Sequence, residues 1–149
     1  MTSKEDARTI PFIPQRSERD CGPACLAMVL AYHGQTVELA DVLTRVEVGP
    51  SGVDAATLLR AAAGYGLRGR GVSVPDLRDL DLVPRASILH WRSGHYVVFD
   101  RLDGGVAWIV DPCQGHRPLS PAELNGQFSG IALLFELAAP HAASGRRQG

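Results

Sequence analysis

Cys21 stands where a thiolate would be favoured. It follows Asp20 and precedes Gly22-Pro23, which open an apolar run at helical spacing through Cys25, Leu26, Val29 and Leu30. A sulfur at a helix N-terminus faces unpaired backbone N–H groups and the positive end of the helix dipole. Both stabilise the nucleophilic, ionised form. The plain alternative is a small core residue, a common fate of free cysteine. Cys25, one turn along the same helix, has no terminus to activate it and reads as core. Cys113, after Asp111-Pro112 in a turn, has nothing around it in the sequence that assigns it a role.

A nucleophilic thiol needs a base, and the chain has five histidines. His33 sits at a helix end, where capping suffices; His116 lies in a turn and His141 in the tail. His90 and His95 belong to the sheet half. His95 follows Gly94 and opens Tyr96-Val97-Val98-Phe99, a polar residue at the lip of an apolar strand. An edge histidine without a task is the competing reading. Asp111 shifts the balance. Asp103-Gly104-Gly105 signals a hairpin. A turn centred near Gly104 sets Val97 opposite Asp111 and His95 opposite Cys113. His95 and Asp111 then share a face as diagonal neighbours, roughly 7–8 Å apart at the backbone. A one-residue slip would put them on opposite faces. Asp-Pro is also an ordinary turn opener, and both uses can coexist.

Acyl transfer further requires donors for an oxyanion. The backbone N–H of Cys21 is one candidate; the side-chain amide of Gln15, from the preceding loop, is the other. Alone, Gln15 is an ordinary surface glutamine. With Cys21, His95 and Asp111 it completes a nucleophile, a base, an orienting carboxylate and an oxyanion donor.

These residues need a scaffold. Helices are expected over about 23–33, ended by Gly34, then about 39–46 and about 55–63, with a Gly49-Pro50-Ser51-Gly52 loop between the last two. The pattern then turns to strands: a weak one over 67–74, interrupted by Gly69 and Gly71, then 86–91, 95–101, 106–111 and 131–137. A short helix is expected at 76–80. Ser120-Pro121-Ala122-Glu123 reads as a capping box opening another. Helices first and strands later predict an α+β fold, N-terminal helices packed on a C-terminal antiparallel sheet. One folded domain over 13–138 is expected, with residues 1–12 a flexible N-terminus and 139–149 a flexible tail.

Bulk properties exclude other classes. With 149 residues and 45% hydrophobic side chains, the chain can build one core. Net charge is −1, and the arginines are scattered among the acids, so no nucleic acid partner is expected. No apolar run is long enough for a transmembrane segment, and the N-terminus is too polar for a signal peptide. The expectation is a cytoplasmic protein. Three cysteines without a CxxC argue against disulfides and zinc. A metal site of Cys21, Cys113 and His95 matches no compact ligand spacing. No cofactor is called for.

The run Gln15…Asp20-Cys21-Gly22-Pro23-Ala24-Cys25-Leu26-Ala27-Met28, then Tyr32-His33-Gly34, Ile88-Leu89-His90-Trp91, Gly94-His95-Tyr96-Val97-Val98 and Asp111-Pro112, resembles the double-glycine leader peptidases. These are the bacteriocin-processing cysteine peptidase domains of peptide-exporting ABC transporters. The likeness runs from about Ile13 to Leu137. It implies a papain-like fold, a Cys21-His95-Asp111 triad and Gln15 as the oxyanion glutamine. It implies removal of leader peptides from ribosomally made precursors of bacteriocin or lanthipeptide type, after Gly-Gly or Gly-Ala. It also implies a leader that docks as an amphipathic helix in an apolar groove, expected near the start of the sheet half. Partners would be the precursor peptide and an ABC exporter or a peptide-modifying enzyme. Asp20 replaces a frequent Glu, and Gly94 a frequent Asn. No transporter follows in this sequence, so a free-standing enzyme is expected, with an excised domain of a longer exporter as the alternative, and a place at the inner face of the membrane through a transporter stays open. Two other outcomes stay open: a module that binds leaders without cutting them, and a papain-like acyl transferase.

Overall fold

A computed structural model of the protein describes residues 8–50 and 52–138. Three helices come first: α1 (Cys21–Tyr32), α2 (Leu39–Arg45) and α3 (Ala55–Gly64). The strands are β1 (Leu67–Ser73), β2 (Ser87–Trp91), β3 (Tyr96–Asp103), β4 (Val106–Asp111), β5 (Gly115–Leu119) and β6 (Phe128–Leu137). A 3-10 turn, Leu77–Leu82, precedes β2, and α4 (Pro121–Gln127) joins β5 to β6. The strands form one sheet in the order β1-β6-β2-β3-β4-β5, every pair antiparallel. This is the expected α+β arrangement. Among the described residues, no helix is long and apolar enough to cross a membrane.

α1 is apolar nearly all round and is buried nearly all round, as such a helix must be. It packs with Ile88, Tyr96, Val98 and Val110 of the sheet in one core cluster. The other face of the sheet gathers Leu89, Trp91, Val97, Phe99 and Ile109 with Leu80 and Leu124. Both faces are covered, so Tyr96 to Phe99 are all buried and the strand reads as a continuous apolar run. Ser120 and Glu123 make the reciprocal capping box that starts α4.

The glycines that made β1 look weak have a packing use. A Cβ at Gly69 would lie 2.7 Å from Leu59 and 2.8 Å from Phe135, so a bare backbone here lets α3 and β6 close on β1.

The β3–β4 hairpin reaches the expected pairing by an unexpected route. Gly104 and Gly105 form a two-residue turn with φ of +60° and +87°, and Asp103 pairs with Val106. Continued without interruption, that turn would set Val98 opposite Asp111 and put His95 and Asp111 on opposite faces. Instead the register shifts between Phe99 and Arg101, and Val98 pairs with Val110. The extra residue is Asp100, a β-bulge. It is 7% exposed, 2.7 Å from Arg85 and 3.0 Å from Arg101. The two ion pairs hold the bulge, and the bulge restores the alignment that puts Val97 across from Asp111.

Other expectations change. His116, expected in a turn, lies in strand β5, where Pro118 is tolerated because the strand lies at the sheet edge. β6 begins at Phe128, three residues early, where Phe128 pairs with Trp91. Residues 8–12, placed with a flexible N-terminus, include Ile10, which is 1% exposed in the first core cluster. Beside it the Arg8 guanidinium lies 4.1 Å from the Tyr32 ring centre. The short run Ile10-Pro11-Phe12-Ile13-Pro14 is broken by prolines and has no helix or strand periodicity to mark Ile10 as core. The expectations for residues 1–7 and 139–149 lie outside the described residues.

Candidate active site

Cys21 is the first residue of α1 and is 8% exposed. Asp20 occupies the N-cap, but its side chain makes no capping bond. The backbone N–H groups of Gly22 and Tyr96 donate toward the sulfur, which is also hydrogen-bonded to the His95 imidazole. Burial alone would push the thiol's pKa up. The His95 hydrogen bond, the two backbone donors and the charge on His95 outweigh it, and the pKa falls below the usual 9.0.

His95 sits in the turn between β2 and β3. Its carbonyl accepts from Trp91 N–H at 2.8 Å, and Gly94 N–H donates to the Trp91 carbonyl at 2.8 Å. Gly94 has φ +96°, a conformation open to glycine and, at small cost, to asparagine. The Gly94 departure from the common Asn therefore preserves the turn. His95 Nε2 lies 2.9 Å from Asp111 Oδ1, which leaves Nδ1 as the ring nitrogen for the thiol. The Asp111 hydrogen bond first, and the Cys21 hydrogen bond second, raise the His95 pKa to about 10 against the opposing effect of burial. Asp111, at the end of β4, is 4% exposed. Burial works to raise its pKa. His95, the Cys113 backbone N–H (2.8 Å to Oδ1) and the Arg117 charge win, and the pKa is lowered.

Three of the four residues expected from sequence thus form one hydrogen-bonded line. Gln15 belongs to the same corner: its backbone N–H donates to the Pro112 carbonyl at 3.0 Å. Its Nε2 donates one hydrogen to the Ser17 carbonyl at 2.7 Å, and its second hydrogen has no partner assigned. Its Oε1 is buried without a partner among the described residues. Sequence reasoning missed two contributors, the Cys113 backbone amide and Arg117. The Cys113 amide belongs to the local turn that Asp111-Pro112 opens, whereas Arg117 has no local signal, because it reaches Asp111 only through the pairing of β5 with β4.

Of the remaining histidines, His116 lies in strand β5 and not in the expected turn, because it pairs with Val110 of β4, and His141 is outside the described residues. His33 is the C-cap of α1. His90 Nδ1 lies 2.9 Å from Ser129 Oγ and takes no part in the line. Cys25 is the internal control. Burial foremost, then the charges of Cys21 and Asp111, push its pKa far above 9.0. Alkylation by iodoacetamide at neutral pH is expected to label Cys21 and leave Cys25 untouched until the protein unfolds. Peptide mass mapping reads this directly. Labelling of Cys25 in the folded protein at the rate of Cys21 would contradict the contrast.

A nucleophile, a proton carrier and an orienting carboxylate so arranged can carry out acyl transfer. The solved structures include a double glycine motif protease from an AMS/PCAT transporter in complex with the leader peptide. It matches with a TM-score of 0.82 and 34% identity, over 88% of this chain and 94% of that one. The two share the papain-like fold, helices packed on an antiparallel sheet. Among curated proteins, the probable microcin-H47 secretion/processing ATP-binding protein of Escherichia coli is 31% identical over 126 residues, 85% of this chain and 18% of the relative. The colicin V secretion/processing ATP-binding protein of Escherichia coli is 30% identical, with the same coverage. The chain therefore spans about a fifth of the length of these relatives. The family model that matches covers residues 9–139, from just before Ile10 to just past the end of β6, and takes in every residue of the site: this chain belongs to the Peptidase C39 family.

Proposed function

We propose that the protein is a cysteine endopeptidase that removes leader peptides from ribosomally made precursors by cutting after a Gly-Gly or Gly-Ala pair. The observation that carries this reading is the Cys21–His95–Asp111 line, in which the thiol pKa is lowered and the imidazole pKa is raised to about 10. Both shifts favour the thiolate–imidazolium form of the pair. The Cys21 thiolate adds to the scissile carbonyl. The resulting oxyanion is met by the Cys21 backbone N–H and by the free hydrogen of the Gln15 amide. The His95 imidazolium gives its proton to the leaving amine, and the C–N bond breaks to leave a thioester on Cys21. Neutral His95 then takes a proton from water as hydroxide adds to the thioester. Collapse expels the thiolate, releases the leader carboxylate and restores the ion pair. Throughout, Asp111 holds the Nε2 side of the ring.

The names of the relatives, secretion/processing proteins, and the leader-bound structure support this substrate class. They also support an exporter as partner. A module that binds leaders without cutting has no use for the ionised thiol. Transfer of the acyl group to another thiol or amine would use the same residues, and product mass separates it from hydrolysis. Incubation with a synthetic double-glycine precursor should give a leader ending in a free carboxylate, and Cys21→Ala should give none. Equal behaviour of wild type and Cys21→Ala would end the enzyme reading; an adduct in place of the acid would assign a transferase.

A further inference from the structure

We propose that Arg117 is a positioning residue for this site: from β5 it holds the outer oxygen of Asp111 and thereby fixes the carboxylate that orients His95. The inference rests on the reading of Cys21, His95 and Asp111 given above. Oδ1 of Asp111 is fully committed, accepting from His95 Nε2 at 2.9 Å and from the Cys113 N–H at 2.8 Å. Oδ2 lies 3.8 Å from Arg117 Nη1. A carboxylate buried to this degree needs partners for both oxygens, and a rotation that traded one oxygen for the other would swing the His95 bond out of line. Arg117 pairs with Ile109 in the β4–β5 ladder, so it shares the face of Asp111 as its diagonal neighbour. Gly115 at φ +94° makes the tight return that brings it there.

The charged and titratable groups around this carboxylate come from four elements. His95 faces it from the β2–β3 turn, Cys21 and Cys25 lie on α1, Arg117 is on β5, and Glu123 of α4 faces Arg117 rather than Asp111. Arg117 is the cation in this set that carries its charge at every working pH. Its charge favours ionised Asp111, the partner that keeps His95 protonated.

Removing the charge has a definite sign. In Arg117→Met the carboxylate should protonate at higher pH and lose its fixed orientation, so the imidazolium should give up its proton at lower pH. The alkaline limb of the pH–rate profile then moves down, and kcat/KM falls by roughly tenfold. Arg117→Lys keeps the charge and should recover most of the loss. The deciding measurement is the titration of His95 by NMR of ring-labelled protein, because it reads the group whether or not a peptide is cut. A downward-displaced titration in Arg117→Met that returns in Arg117→Lys supports the assignment. An unchanged His95 titration in folded Arg117→Met overturns it, as does equal displacement in Arg117→Lys. Should Arg117→Met fail to fold, Arg117→Gln carries the same test, since it keeps a polar side chain and loses only the charge. A wild-type protein that cuts no leader would end the proposed function and leave this titration to be read on its own.

Discussion

His95→Ala is expected to lower the rate of precursor cleavage by roughly four orders of magnitude, leaving what binding and the oxyanion donors alone provide. The size follows from two roles held by one ring. It stabilises the thiolate before attack, and it delivers the proton without which the amine cannot leave. Wild-type activity should follow a bell in pH. The acid limb appears as the Cys21 thiolate is protonated at its lowered pKa, and the alkaline limb as His95 loses its proton near 10. The same groups set the stability of the folded state. His95 has a raised pKa, so its contribution is complete below the unfolded histidine value of 6.5 and is lost as pH rises through about 10. Asp111 has a lowered pKa, so its contribution is complete above 3.8 and disappears as pH falls through its folded value. Melting temperature against pH should therefore fall on the alkaline side in wild type and less steeply in His95→Ala. Cleavage by His95→Ala within tenfold of wild type would remove the histidine from the mechanism. Identical alkaline melting curves would show that its ion pair does not form.

Two or three apolar residues of the leader changed to Asp should reduce kcat/KM by roughly a hundredfold or more, while changes beyond the cut should matter little. A Gly-Gly pair offers no side chain to grip, so the scissile site can select only by excluding larger residues. Affinity must come from elsewhere on the substrate. An amphipathic leader helix in a groove is a physically adequate source: each fully buried apolar side chain contributes about 1.5–3 kcal/mol, at about 25 cal/mol per Å². Two such losses account for the expected factor. The comparison to make is steady-state kinetics on the full precursor, the Asp-substituted precursor and a hexapeptide spanning the cut. A hexapeptide processed as well as the full precursor would refute docking at a distance and leave a general peptidase with a narrow cleft.

How much of this was legible beforehand depended on whether the determining interaction was local. The start of α1 at Cys21, the capping box at Ser120 and the Gly104-Gly105 turn are decided by residues within one turn of each other, and they stand where the sequence puts them. The chemistry of Cys21, His95 and Asp111 was readable for the same reason: a helix terminus, a strand lip and a strand end are local features. Their meeting was not guaranteed by that pattern. It depends on the bulge at Asp100, and the buried Asp100 carboxylate depends on Arg85, fifteen residues upstream. Long-range ion pairing has no periodicity, so counting from the turn reached the right alignment at the site while misplacing the residue that produces it.

The sequence by itself determined the fold class, the order of the helices and of five of the six strands, and the candidate reactive side chains. Tertiary structure decided the strand order, in which β6 enters between β1 and β2, and with it the sheet that carries the site. It also decided that 115–119 is a strand, that Ile10 is core, and that Asp111 has Arg117 and the Cys113 amide as second and third partners. The physical reason is common to all of these. Hydrogen bonds and desolvation between residues far apart in the chain act only once the chain has closed on itself, whereas dipoles, caps and turn dihedrals act on neighbours from the outset.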